Sequence, residues 1–474
     1  MPSVRLEEFA LLTIVAAAAV LVALWWMLHR RTAATIAAAF LLFSLVTRTL
    51  SLAYVDLAGP VYADELEAMI GGGSSMPLFA CSVLVVMASV CYAFRPSRMR
   101  QVPLPAPRPG ARRQGFGTVV LLLVVGFAIA LYGDMLMRGP VPLFAGIDRI
   151  AYGQTMAGPL HPLVFEYGFL LAGLLGINFV RLRLVGGDFD FAFLWLFLCF
   201  MAYFALTGHR FSAFYSFTCF FALPLAAVPL LSSRGGLPPH PKRSRLWEVA
   251  LSRAGRLVLL GALGAAIAGL VLNSIVNVRD YDEPLHLIKQ RMIVQPVELW
   301  WTTWKDIGIG SHPGPAAMWD SVFFSPIDPT RNTSIQALML INIGVDRTRE
   351  LLAMGQQYAG GYPEVLFELF GPYLALPVAA VFSIVTALLL RLVVTATCQG
   401  RVFTALLALY VYFGFSLLYI GGMLNFLLAW TFWLKLSALA AACAIERSHG
   451  VRASGAGRSR TQRSFGSPAG SRAP

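Results

Sequence analysis

Four cationic side chains, Arg279, His286, Lys289 and Arg291, crowd one short stretch of the chain. Arginine's planar fork fits phosphate oxygens, and several such groups together fit a pyrophosphate. Asp280, Asp282 and Glu283 share the stretch. The cations therefore have two plainer partners, these carboxylates and ordinary phospholipid head groups. Downstream, Gly360-Gly361-Tyr362-Pro363-Glu364-Val365-Leu366-Phe367-Glu368 places two carboxylates four residues apart, on one face of a helix that Pro363 can start. They could act as a general base or accept sugar hydroxyls, or simply favour a helix N-terminus. Leu206-Thr207-Gly208-His209-Arg210-Phe211-Ser212 is a tight turn that needs its glycine but not its arginine. Arg138-Gly139-Pro140-Val141-Pro142-Leu143-Phe144-Ala145-Gly146-Ile147-Asp148-Arg149 is a stiff turn ending in an Asp-Arg pair.

The elements that position these groups are membrane helices. The 474 residues are 57% hydrophobic and 13% charged, with a mean hydropathy of +0.68. Such a chain cannot cover its surface with polar groups in water. Apolar runs long enough to cross a bilayer recur at about 9–28, 33–55, 77–94, 116–136, 161–180, 189–207, 212–232, 257–276, 366–390, 402–421 and 425–445. Irregular backbone cannot face lipid, so the runs must be helices. The reading is an all-α polytopic membrane protein of about eleven spans. A bundle over 1–276 precedes a large loop at 277–365 with interfacial helices. Three more spans occupy 366–446, and a basic, Ser/Gly/Arg-rich tail at 447–474 is expected to be disordered.

Net charge is +13, but the basic residues sit in short loops between spans, where they orient a membrane protein rather than bind nucleic acid. If Arg30 and Arg31 are cytoplasmic, alternation puts most of the 37 Lys and Arg inside. The large loop, and the acidic loop with Asp56, Asp64, Glu65 and Glu67, then lie outside. This gives an extracytoplasmic N-terminus and a cytoplasmic C-terminus. No cleavable signal is evident. The six cysteines form no CxxC pair, so neither a disulfide framework nor a metal site is expected. Trp300, Trp301 and Trp304 suggest a helix, broken near Pro296, lying at the outer interface. Ionisable residues within spans usually face the bundle interior. A polar cavity would gather Arg48, Asp134 and Glu166; mutual salt bridges are the alternative. Lys435 falls nearer the middle of its span.

The pattern resembles the bacterial O-antigen polymerases (Wzy-type repeat-unit polymerases), relatives of the O-antigen ligases in the GT-C group. The resemblance rests on Gly139-Pro140-Val141-Pro142-Leu143-Phe144, on Gly208-His209-Arg210, and on a late outside loop ending in Gly-Gly-Tyr-Pro-x-x-x-x-Glu. It implies a GT-C-like bundle in the bacterial inner membrane. It also implies a metal-independent, cofactor-free glycosyltransferase that joins undecaprenyl-diphosphate-linked glycans, with a chain-length regulator of the same pathway as a further partner. Under it, Arg210 and Arg291 bind pyrophosphate, with Arg149 and Arg279 in support. Glu364, Glu368, Asp280 or His286 is the base, and Arg48, His209 and Glu166 line the cavity. Pro140 stands where the family more often has glycine. Three other readings stay open: a ligase, a flippase or other transporter, and a metal-dependent enzyme using a lipid-monophosphate sugar through Asp64 and Glu65.

Overall fold

The computed structural model describes residues 2–100, 112–147, 151–185, 190–209, 211–232, 286, 289–309, 319–320, 323, 333–353 and 360–464. Among these, eight helices are long and apolar enough to cross a membrane: Phe9–Arg30, Ala39–Ala58, Met76–Met99, Phe116–Ala145, Leu160–Leu182, Ser212–Leu231, Glu364–Cys398 and Val402–Gly421. Of the other three expected runs, 189–207 is a shorter apolar helix, 257–276 lies outside the described residues, and 425–445 overlaps the helix Trp430–Ser464, which is not among the eight.

In chain order the helices are α1 (Pro2–Arg30), α2 (Thr32–Ala37), α3 (Ala39–Ala58), α4 (Met76–Ala93), α5 (Pro96–Arg100), α6 (Arg112–Arg138), α7 (Pro142–Ala145), α8 (Leu160–Val185), α9 (Asp190–Leu206), α10 (Phe211–Leu225), α11 (Ala227–Ser232), α12 (Gln295–Ile309), α13 (Thr333–Ala353), α14 (Glu364–Cys398), α15 (Val402–Gly421) and α16 (Trp430–Ser464). A hairpin of β1 (Val61–Ala63) and β2 (Ala68–Ile70) pairs antiparallel between α3 and α4. The tail expected to be disordered continues α16 as far as Ser464, since no proline interrupts it before Pro468.

Lipid gives no hydrophobic drive between helices, so close packing must hold them together. Small residues permit the approach of α8 to its neighbours. A Cβ at Gly176 would lie 2.4 Å from the Phe221 carbonyl oxygen, and one at Gly173 would lie 2.1 Å from Leu409. Aromatic rings fill the rest, with Phe169 stacked on Phe413 at 3.8 Å and Phe197 on Phe221 at 4.3 Å.

The two ends of the bundle differ. At the loop-rich end, Asp56 closes α3 and caps α4, accepting from the backbone N–H groups of Ser75 and Met76 at 3.0 Å each. Thr13 of α1 donates to the same carboxylate. At the opposite end, the Arg391 guanidinium donates to the Arg98 carbonyl. There Glu446 accepts from the N–H groups of Phe403 and Thr404 at the start of α15.

Two segments from the loop-rich end run down into the bundle. A π turn at Gln290–Val294 leads into α12, and Ser51 of α3 donates to the Met292 carbonyl. Residues 364–370 form a short helix set off by Gly371, whose φ of 70° breaks the ladder before Pro372. Its residues Glu364 to Leu369 are buried, whereas Tyr373 beyond the break is exposed. Irregular backbone at this depth is tolerated because protein, not lipid, surrounds it.

The tryptophans depart from the expected interfacial anchor. Trp300 is 0% exposed. Its indole N–H donates to the Ser75 carbonyl at 3.3 Å, and its ring packs on Phe79 and Phe367. Trp301 and Trp304 lean on Gly73, where a Cβ would sit 2.8 Å from the Trp301 ring. The indoles gain more from the glycine-lined loop and the aromatic wall than from the head-group layer, so α12 docks inward.

Candidate functional site

Arg48 ties the site together. It lies two turns inside α3 from Asp56 and is 4% exposed. Its Nε donates to the Pro296 carbonyl at 2.7 Å, where α12 begins. Its two terminal nitrogens donate to the Tyr362 carbonyl and to Glu364 Oε1. The guanidinium plane sits 5.1 Å from the Phe79 ring centroid. One side chain thus joins α3, α12 and the Gly-Gly-Tyr-Pro loop. The two glycines let that loop come close. A Cβ at Gly360 would meet Arg48 at 3.1 Å, and one at Gly361 would lie 2.6 Å from Gly422. Their φ values of 115° and 111° also suit glycine alone.

Above this pair, the β1–β2 hairpin clasps the π turn. Gln290 donates to the Tyr62 carbonyl at 2.7 Å, and Gln295 donates to Glu65 at 3.0 Å. The Asp64 carboxylate pairs with the His286 ring at 2.9 Å, both side chains half exposed. Glu65 is half-buried. Burial pushes its carboxyl above the usual range, while Arg347 and Arg291 pull it back. Two arginines from separate helical segments thus lie within electrostatic reach of one carboxyl at the hairpin tip.

Glu298, on the same face of α12 as Gln295, is 0% exposed, and neither of its oxygens has a hydrogen-bond partner among the described residues. Burial, reinforced by Glu65 and Asp64, holds its carboxyl well above the ordinary value. An unfolded glutamate titrates near pH ~4.3. Below that pH both states carry the proton and no stability is lost. As pH rises towards the folded value, the unfolded chain releases the proton and the folded one keeps it, so stability falls. Glu298→Gln is therefore expected to raise the thermal midpoint at pH 7 and to flatten its decline between pH 5 and pH 8, as measured in detergent. An unchanged pH profile would contradict a buried neutral carboxyl.

A second polar cluster lies at the same end, where α8 and α9 meet. His161 Nδ1 and the Tyr203 hydroxyl are 2.9 Å apart, as are the Thr207 hydroxyl and His209 Nδ1. The two imidazole centroids are 5.3 Å apart. Tyr152, from the π turn at Tyr152–Met156, packs edge-on against His161.

The site residues expected from the sequence meet different fates. Arg48 and Glu364 come together as a buried ion pair. This ties one Glu364 oxygen to a guanidinium. Glu368, 1% exposed, lies in the field of Thr303, Asp306 and Glu364. Arg291 is half-buried beside the hairpin. His286 holds Asp64, and His209 is buried in the second cluster. Arg149, Arg210, Arg279 and Asp280 lie outside the described residues.

Of the two alternatives for Arg48, Asp134 and Glu166, a shared polar cavity or mutual salt bridges, the structure shows no ion pair among the three. Asp134 binds Arg138 one turn along α6 at 2.7 Å. Glu166 is exposed, because it stands two residues from both Val164 and Gly168, the buried face of α8. Sequence reasoning missed Glu298, His161 and the electrostatic reach of Arg347 and Arg291 to Glu65. The available signal for Glu298 was a carboxylate within Val297-Glu298-Leu299-Trp300-Trp301, an ionisable group on an apolar helix.

A family model described as a family of unknown function, DUF6418, matches residues 328–434. The matched stretch holds Arg347, Glu364 and Glu368 but neither Arg48 nor Arg291. No curated protein and no solved structure matches the chain.

Proposed function

We propose that the chain is a metal-independent glycosyltransferase that polymerises undecaprenyl-diphosphate-linked oligosaccharide repeat units into a surface polysaccharide. It works at the periplasmic face of the bacterial inner membrane. The loop-rich end is periplasmic, with the N-terminus, and the arginine-rich opposite end is cytoplasmic, with the C-terminus. The observation that carries the reading is the placing of the π turn holding Arg291 against the hairpin, where Gln290 donates to the Tyr62 carbonyl and Gln295 to Glu65, with Arg291 and Arg347 both within electrostatic reach of that carboxyl. A GT-C-like arrangement asks for such a site, with two cations for a diphosphate and a carboxyl next to them.

In this mechanism the hydroxyl oxygen of an incoming repeat unit bonds to the anomeric carbon of the growing chain. The bond from that carbon to the diphosphate breaks, and its electron pair leaves on the diphosphate oxygen. Arg291 and Arg347 offset the charge that develops there; Arg210, Arg149 and Arg279, outside the described residues, are the further cations that the resemblance implies. The hydroxyl proton passes to Glu65, whose carboxyl burial holds above the ordinary carboxylate value and so makes a stronger base. The Arg48–Glu364 pair fixes the floor, while Glu368 and Glu298 stay buried behind it.

Purified protein in liposomes with lipid-linked repeat units is expected to make a ladder of polymer. Activity should fall on the acidic side, with a limb above the ordinary carboxylate range, as Glu65 takes up its proton. Glu65→Gln should lose that limb together with about 10²–10⁴-fold in rate. A Glu65→Gln enzyme with wild-type rate and pH profile would remove Glu65 from the mechanism.

A second reading, transport of a lipid-linked glycan, draws support from the broken helix at Gly371 and the buried Arg48–Glu364 pair deep in the bundle. It predicts substrate crossing the liposome membrane and no ladder.

A further inference from the structure

The end of the bundle opposite the loop-rich end gathers arginines from three parts of the chain. Arg31 stands between α1 and α2, Arg95 and Arg98 follow the end of α4, and Arg391 lies in α14. Because α4 packs against both α1 and α14, these positions meet. The Arg391 guanidinium donates to the Arg98 carbonyl, and the two side-chain charges lie within electrostatic reach of each other. The Tyr92 ring carries two guanidinium groups, Arg98 at 4.0 Å and Arg95 at 4.8 Å from its centroid. Arg98 also donates to the Tyr92 hydroxyl. Arg31 lies 5.5 Å from the Trp26 ring centroid and within electrostatic reach of Cys91, the neighbour of Tyr92 in sequence.

Two plainer roles do not account for this arrangement. Arginines that only orient a membrane chain need charge, not position, and extend into water. Arg31, Arg98 and Arg391 are instead half-buried. The Arg31 Nε is buried and has no hydrogen-bond partner among the described residues. Arginines that serve packing alone need a counter-charge once they leave water. Among the described residues no carboxylate pairs with Arg31, Arg95, Arg98 or Arg391. Arg401 shows the contrast, for Glu446 lies in its field. Drawing like charges together away from water is unfavourable. Rings and a backbone carbonyl therefore hold these guanidinium groups ready for a negative partner that no described residue supplies.

Forked donors match phosphate oxygens, and four cations suit two phosphates better than one. Arg31 directly follows the span Phe9–Arg30, and Arg98 lies in the last turn of Met76–Met99. That is the level of lipid head groups, and basic pockets between membrane helices take such groups. We propose that Arg31, Arg95, Arg98 and Arg391 form a second anion site, which binds a phosphate-bearing group with at least two negative charges, supplied by a membrane lipid. It is separate from the reaction proposed above and holds whether or not the chain makes polymer.

The test uses the full-length protein in detergent with four probes. Diphosphatidylglycerol carries two phosphates, phosphatidylglycerol one, phosphatidylcholine no net charge, and inorganic pyrophosphate two phosphates without a tail. The readouts are lipid retained in native mass spectrometry and the thermal midpoint. Diphosphatidylglycerol is expected to bind at least tenfold more tightly than phosphatidylglycerol and to raise the midpoint; phosphatidylcholine should do neither. Arg98→Gln combined with Arg391→Gln should weaken retention at least tenfold, with a ligand-free midpoint no lower than the wild type's. Arg95→Gln, whose side chain is exposed, should weaken it several-fold. Arg30→Gln, an exposed charge beside the cluster, and Arg291→Ala, at the other end of the bundle, should both bind like the wild type.

Equal retention of the two anionic lipids, or equal losses in Arg30→Gln and Arg95→Gln, would reduce the arginines to general surface charge and overturn the proposal. Loss of retention in Arg291→Ala alone would place the binding at the other end and overturn it too. Pyrophosphate bound as tightly as diphosphatidylglycerol, and lost in the same variants, would keep the anion site and replace the lipid as its source.

Discussion

Arg48→Ala is expected to lower stability by about 3–5 kcal/mol, because it leaves Glu364 charged and buried without its partner. The Tyr362 and Pro296 carbonyls lose their donor in the same step, so the re-entrant loop and the start of α12 loosen together. Removing both charges should cost less than removing one. Arg48→Met combined with Glu364→Leu leaves the same two carbonyls unsatisfied as Arg48→Ala does, but no uncompensated buried charge. The measurement is the unfolding midpoint of the two single variants and the double variant in detergent. The double variant should be more stable than the sum of the singles implies, the non-additivity that contacting residues show. Simple additivity would mean that the pair carries no weight in the fold.

Arg291→Ala and Arg347→Ala should each reduce polymer formation by about 10²–10³-fold, the loss typical when one preorganised donor to a developing negative charge is removed. Neither residue is part of the buried core: Arg347 pairs with Glu350 near the surface at 2.7 Å, and Arg291 borders the hairpin. Both variants should therefore accumulate and unfold like the wild type. Lysine at either position should recover only part of the rate, since a point charge cannot reproduce the forked geometry. Rates within a few-fold of wild type in both alanine variants would take these arginines out of the site.

Much of this architecture was legible in the sequence, because the bilayer imposes a simple rule. An apolar run of the right length has to be a helix, and eight of the expected runs are such helices. A disturbance near Pro296 could also be read, and it takes the form of a π turn at Gln290–Val294 running into α12; the close approach at Gly360 and Gly361 could not, since Arg48 and Gly422 are far from them in sequence.

The fate of individual polar residues was not legible. Arg48 and Glu364 are 316 residues apart, and no local pattern pairs them. Glu166 looks like a cavity residue from its depth, yet its direction depends on which face of α8 meets α10 and α15. The tryptophans of α12 carry an interfacial composition. What buries them is Gly73, whose missing side chain makes room for two indoles. Glu298 shows the same limit from the other side. Its neighbours in sequence mark an apolar helix, but only the hairpin from between α3 and α4 makes its surroundings acidic.

The most direct test of polymerisation is a gel of surface and undecaprenyl-linked glycans from cells lacking the gene, complemented with the wild type, Arg291→Ala or Arg210→Ala. Deletion and both variants are expected to leave single repeat units on the carrier, and the wild type to restore a ladder. Full-length polymer stranded on the carrier, single units held on the cytoplasmic face, or a ladder that survives deletion would contradict it.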